Sequence, residues 1–145
     1  MYKDKLFCNI NSWLTKIECK IKCQNLIWPG NQCGKVELEL DKSSRVEISR
    51  KAIFSTGCCI RVRGNAVLKI GDGVYFNNNC ILTAREKIII GDRTIFGPGV
   101  AIFDNDHAYK EKNFEKEFIT SPIIIGKNVW IGANSVILRG EYYRR

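Results

Sequence analysis

The chain has 145 residues, of which 45% are hydrophobic and 26% are charged, and its formal net charge is +8 at pH 7. A chain of this length suits a single globular domain that buries roughly two-thirds of its unfolded surface, so disulfides are not needed for folding. No run approaches the roughly 18 consecutive apolar residues of a membrane span, and the N-terminus lacks a leader pattern, so we expect a cytoplasmic protein.

The net charge is uneven: residues 1–63 carry 12 basic and 6 acidic groups, net +6, whereas residues 64–145 carry 11 and 9, net +2. The basic residues form no dense Lys/Arg run with interleaved aromatics. Anionic lipid, a phosphorylated substrate or nucleic acid are conceivable partners for such a surface, and a solvated basic face is the preferred interpretation. The sequence therefore predicts no nucleic-acid partner. Its seven cysteines form no CxxC pair and only one histidine accompanies them, which favours reduced, gap-filling thiols and no metal site.

An amphipathic helix is predicted over residues 6–24, because apolar residues there recur at spacings of three and four between lysines. Trp28, Pro29 and Gly30 end it. We interpret residues 1–30 as a helical cap on the end of a repeat, with membrane-surface or partner contact as the alternatives. Residues 31–145 would complete a single domain, interrupted by a loop at 103–122.

From Ile48 onward an apolar residue occupies every sixth position within four successive sets. The sets are Ile48, Phe54 and Ile60; Ile70, Phe76 and Leu82; Ile90, Phe96 and Ile102; and Ile125, Ile131 and Ile137. Neither a helix nor a plain alternating strand has this period. If each hexad is a short strand and a corner, three hexads close a triangular coil, and stacked coils pair as parallel strands. A sandwich of short strands is the alternative.

The segments IGDGVYFNNNCIL, IGDRTIFGPGVAIF and IGKNVWIGANSVIL resemble those of the hexapeptide-repeat acyltransferases. The likeness covers about residues 48–138 and is strongest to the branch of maltose, galactoside and capsular-sugar O-acetyltransferases. It implies an all-β solenoid, a left-handed parallel β-helix, although crossover statistics alone favour right-handed turns. It also implies acetyl-CoA as acyl donor, a small hydroxyl or amine acceptor, and a homotrimer with active sites between subunits.

The resemblance places the general base of these enzymes at His107, the only histidine in the chain, within the polar loop FDNDHAY. An imidazole suits this role, because it can take the proton of a hydroxyl that attacks a thioester. Asp104 and Asp106 precede it closely in the sequence and are predicted to orient the imidazole or bind the acceptor, with simple solvation as the alternative.

Four further residues are candidates by the same resemblance. Asn77 aligns with an asparagine of the acceptor pocket, although Asn at a corner also suits left-handed backbone. Arg85 stands where the sugar-acetylating relatives carry an acidic residue, and it is counted with the acceptor site. Trp130 and Ala133 are predicted on the side of the acyl donor, where Trp130 has packing against a neighbouring coil as its alternative role.

After Leu138 the sequence departs from the family, which continues with a proline-glycine turn and further hexads. We therefore expect a C-terminally shortened acyltransferase with weak or absent coenzyme A binding. Motifs for phosphate loops, dinucleotide sites and nucleophile elbows are absent from the sequence. Two functions remain: an O-acetyltransferase acting on a sugar or similar acceptor, for instance in surface polysaccharide biosynthesis, or a non-catalytic β-helix subunit that acts through oligomeric interfaces.

Overall fold

The computed structural model describes residues 26–27, 34–113 and 115–143, and every regular element in these ranges is a β-strand. The predicted N-terminal helix lies outside the described residues. In the described part of the chain there is no helix long and apolar enough to span a bilayer. The described architecture is therefore all-β, as the sequence predicted.

The described residues contain 17 short strands. In chain order they are β1 Leu26–Ile27, β2 Glu37–Leu40, β3 Arg45–Ile48, β4 Ile53–Phe54, β5 Cys59–Val62, β6 Val67–Ile70, β7 Tyr75–Phe76, β8 Ile81–Ala84, β9 Lys87–Ile90, β10 Ile95–Phe96, β11 Ala101–Phe103, β12 Asn105–His107, β13 Phe118–Thr120, β14 Ile123–Ile125, β15 Trp130–Ile131, β16 Val136–Ile137 and β17 Tyr142–Tyr143.

 

Fifteen of these strands form three parallel sheets, which we call faces A, B and C. Face A has the six strands β1-β3-β6-β9-β14-β17, face B the five strands β16-β11-β8-β5-β2, and face C the four strands β15-β10-β7-β4. The two remaining strands, β12 and β13, form a separate antiparallel pair. Because consecutive strands fall on different faces while each face is parallel, the chain winds as a solenoid of about five turns.

The interior is built from the predicted ladder of sixth-position residues. All twelve are buried, with exposed fractions between 0% and 7%. They also stack in register: Ile48 lies beside Ile70 and Ile70 beside Ile90 on face A, while Phe54, Phe76 and Phe96 follow one another on face C. The solenoid prediction is confirmed, and the sandwich alternative is wrong.

Two cysteines, Cys58 and Cys80, belong to the hydrophobic core, in agreement with the gap-filling role predicted for them. Cys58, Cys59 and Cys80 are free and buried, and burial raises the pKa of the Cys59 thiol. The other four cysteines, at positions 8, 19, 23 and 33, lie outside the described residues.

The corner that leads from face C to face B uses left-handed backbone at the same step of successive coils. The residues there are Gly57, Asn79, Gly99 and Asn134, with φ between 57° and 81°. Glycine adopts this conformation freely and asparagine tolerates it better than other side-chain-bearing residues. The alternative role predicted for Asn77 therefore belongs to its neighbour Asn79, because Asn77 does not have a positive φ.

Candidate active site

The polar insertion leaves the solenoid between β11 on face B and β14 on face A. Its base is the hairpin of β12 and β13, in which Asn105 pairs with Thr120, Asp106 with Ile119 and His107 with Phe118. His107 is thus held at the far end of a paired strand, and its side chain is exposed. The hairpin gives the histidine a defined position at the edge where faces B and A meet.

Asp104 anchors the hairpin to the solenoid. It is fully buried, and its carboxylate accepts hydrogen bonds of 2.8 Å from the backbone N–H groups of Arg85, Glu86 and Lys87. The side-chain amide of Asn105 donates to the same carboxylate at 3.0 Å. Both carboxylate oxygens therefore accept hydrogen bonds, and Asp104 holds the insertion against the corner between β8 and β9. A role toward the imidazole or the acceptor stays a prediction.

We expect Asp104→Asn to lower the free energy of unfolding by roughly 1–3 kcal/mol, because an amide offers one acceptor oxygen and turns its NH₂ toward a backbone N–H. Chemical denaturation measures the change. Asp106→Asn is the matched control: Asp106 is 45% exposed and its ion pair with Arg139 lies at the surface, so its loss should cost less than about 1 kcal/mol. Equal effects of the two substitutions would contradict the anchoring role.

Phe118 connects His107 with Arg85. The rings of His107 and Phe118 lie 4.5 Å apart at an interplanar angle of 39°, and the Arg85 guanidinium carbon lies 3.4 Å from the centroid of the Phe118 ring. The structure therefore brings together two of the residues singled out from the sequence. Phe118 itself was missed, because only the pairing register of the hairpin places it opposite the histidine.

A cavity of about 460 Å³ adjoins the hairpin. Its lining residues are Ala108, Tyr109, Lys110, Glu111, Glu117, Phe118, Ile119 and Arg139. Arg139 donates from Nε to the carboxylate of Asp106 at 2.6 Å, so Asp106 is engaged in an ion pair at the margin of this cavity. With charges of both signs and an aromatic wall, the cavity offers room for a small polar molecule beside the residues that flank His107.

Asn77 lies at a different edge of the solenoid. It follows β7 on face C, whereas Arg85 and the hairpin lie beyond the far end of β8. A strand of this length spans about 13 Å at 3.3 Å per residue. The Asn77 side-chain oxygen accepts a hydrogen bond of 2.8 Å from the backbone N–H of Asn78. A single chain therefore does not bring Asn77 next to His107.

Trp130 and Ala133 also lie away from the hairpin. Trp130 stands on the outer side of face C with 75% of its surface exposed, in register with Ile95, which is 46% exposed. Ala133 is exposed at the following corner, where its backbone N lies 2.6 Å from the point that a Cβ on Gly97 would occupy. The predicted donor-side residues are thus near one another and separate from the histidine of the same chain.

One group of possible metal ligands occurs in the described ranges, formed by Glu37, Glu39 and Cys59. The Glu39 carboxylate is bound by Arg61 Nε at 2.9 Å and also by Arg63. The hydrogen bond from Arg61 lowers the pKa of Glu39. This group is therefore part of an ion-pair ladder on the outside of face B.

Three relatives show what the chain is similar to. Nodulation protein L of Rhizobium meliloti (strain 1021) is 38% identical over 74 residues, which are 50% of this chain and 40% of that protein. Galactoside O-acetyltransferase of Escherichia coli (strain K12) is 34% identical over 74 residues, covering 50% and 36%. Galactoside O-acetyltransferase of Lactococcus lactis subsp. lactis (strain IL1403) is 28% identical over 105 residues, covering 72% and 50%.

The matched region spans half or less of the length of each of these relatives. No protein-family model and no solved structure matches the chain. The likeness to named acetyltransferases and the parallel solenoid together confirm the resemblance that the hexads indicated.

Proposed function

We propose that this chain, a homologue of hexapeptide-repeat acetyltransferases, takes part in moving an acetyl group from acetyl-CoA to a hydroxyl of a sugar or similar small acceptor, with His107 as general base. The observation that carries the proposal is the position of the single histidine. It stands on a hairpin that the buried Asp104 ties to the solenoid, in a chain whose relatives include galactoside O-acetyltransferases.

The proposed reaction is a direct transfer. The imidazole of His107 takes the proton of the acceptor hydroxyl while the oxygen attacks the carbonyl carbon of the thioester. A carbon–oxygen bond forms, the carbon–sulfur bond breaks, and the sulfur of coenzyme A receives a proton. The step needs no covalent enzyme intermediate, and acetyl-CoA is a substrate in it.

We also propose that the complete site lies between copies of the chain in a homotrimer. In one chain, Asn77, Trp130 and Ala133 lie at edges other than that of His107. In the proposed trimer, a neighbouring copy brings these residues to the His107 of the first chain. Exposed apolar side chains on face C, Ile95 at 46% and Trp130 at 75%, support an interface on that side.

The direct test is the release of free thiol from acetyl-CoA with and without a panel of sugar acceptors. We expect acceptor-dependent thiol release together with an acetylated product in mass spectrometry. A folded protein that transfers acetyl to none of the acceptors would contradict the proposal and favour the non-catalytic subunit.

A further inference from the structure

Arg85 differs from the arginines one coil below it, because no carboxylate of the described residues pairs with it. Arg61 donates to Glu39 at 2.9 Å, and Arg63 binds both Glu39 and Asp41. Within the described ranges, the Arg85 guanidinium makes no ion pair, and it lies over the ring of Phe118. Asp104 of the next coil packs against the corner that carries Arg85, but its carboxylate already accepts hydrogen bonds from backbone N–H groups.

The Arg85 side chain also carries the one buried side-chain polar atom in the described part of the chain that lacks a hydrogen-bond partner, its Nε. Burial lowers the pKa of Arg85, and the charge of Arg63 acts in the same direction, yet an arginine remains protonated at neutral pH. A buried donor without an acceptor destabilises the folded protein, and more so when it is charged. Because Nε is enclosed, an anion would bind Arg85 through the two terminal NH₂ groups of the guanidinium, which make no hydrogen bond to the described residues.

Stacking on Phe118 does not supply a hydrogen-bond acceptor for the guanidinium N–H groups. The contact lies on the face of the guanidinium, whereas all five N–H bonds point outward in its plane. The aromatic ring therefore fixes the plane of the guanidinium, and the N–H donors do not point at the ring. This is the arrangement in which arginine recognises the two oxygens of a carboxylate or phosphate.

We infer that Arg85 binds an anionic group of the acceptor, a uronate carboxylate or a phosphate ester, while the reacting hydroxyl lies at His107. The inference deepens the proposed function and rests on it for the role of the acceptor. The distance from the guanidinium carbon to the imidazole centroid cannot exceed the sum of the 3.4 Å and 4.5 Å contacts with Phe118. A single sugar that carries both groups can bridge this separation.

The test uses the single histidine as a reporter. The imidazole signals of His107 are followed by NMR during titration of the whole protein with glucose, glucuronate or glucose 6-phosphate. The three probes share a sugar ring and differ only at carbon 6. Comparing their affinities therefore distinguishes a preference for carboxylate from a preference for phosphate. We expect at least one anionic probe to bind roughly tenfold to hundredfold more tightly than glucose, the gain of one or two charge-assisted hydrogen bonds.

Arg85→Gln should remove this preference and Arg85→Lys should keep part of it, while Arg50→Gln, an exposed arginine at another corner, should leave it unchanged. Thermal unfolding verifies that each variant is folded. Equal binding of all three probes by the wild-type protein, or a preference that survives in folded Arg85→Gln, would overturn the inference. Thiol release from acetyl-CoA is measured separately: anion binding without transfer refutes the proposed function alone, and transfer without anion preference refutes this inference alone.

Discussion

His107→Ala is expected to lower the rate of acetyl transfer by about 10²–10⁴-fold, the usual contribution of a positioned general base. Alanine cannot accept the proton of the attacking hydroxyl, so the oxygen would have to attack in its poorly nucleophilic neutral form. The measurement is the rate of thiol release from acetyl-CoA at saturating acceptor. Because the side chain is exposed, the substitution should leave the solenoid folded.

Lys112→Ala is the control for this experiment, since Lys112 is exposed in the same insertion and has no role in the proposed site. We expect this variant to transfer acetyl at the wild-type rate. Circular dichroism and the unfolding midpoint establish that both variants retain the fold. Transfer by His107→Ala within a few-fold of the control would show that His107 is not the base.

Phe76→Ala is expected to have the largest effect on stability, a loss of about 3–5 kcal/mol in the free energy of unfolding. Phe76 is 2% exposed and is the middle ring of a stack, with centroids 4.9 Å from Phe54 and 4.5 Å from Phe96. Truncation removes the contacts with both neighbours and leaves a cavity between two coils that cannot close freely. Denaturant unfolding monitored by circular dichroism measures the loss.

Lys69→Ala serves as the comparison, on the outward side of the preceding strand β6. Lys69 forms a surface ion pair with Glu47 at 2.9 Å, and its side chain is 50% exposed. Its removal should cost less than about 1 kcal/mol. If Phe76→Ala cost no more than this substitution, the aromatic stack could not be part of a close-packed interior.

The insertion shows where prediction from sequence was partial. His107 could be selected because it is unique and interrupts a regular repeat. Asp104 and Asp106 look alike in the sequence, yet one is buried under three backbone N–H groups and the other pairs with Arg139 at the surface. Arg85 was noted as a departure from the family, but the lack of an ion-pair partner for its guanidinium depends on which side chains surround it.

The sequence by itself determined the solenoid, because each coil repeats the same short-range pattern and a residue at every sixth position must turn inward to be buried. All twelve positions of that ladder are in the core. Only the tertiary structure decided the site. The antiparallel register of the hairpin sets Phe118 against His107, and Phe118 in turn contacts Arg85, which lies in an earlier coil. No periodic pattern encodes these pairings, because they arise where the repeat is interrupted.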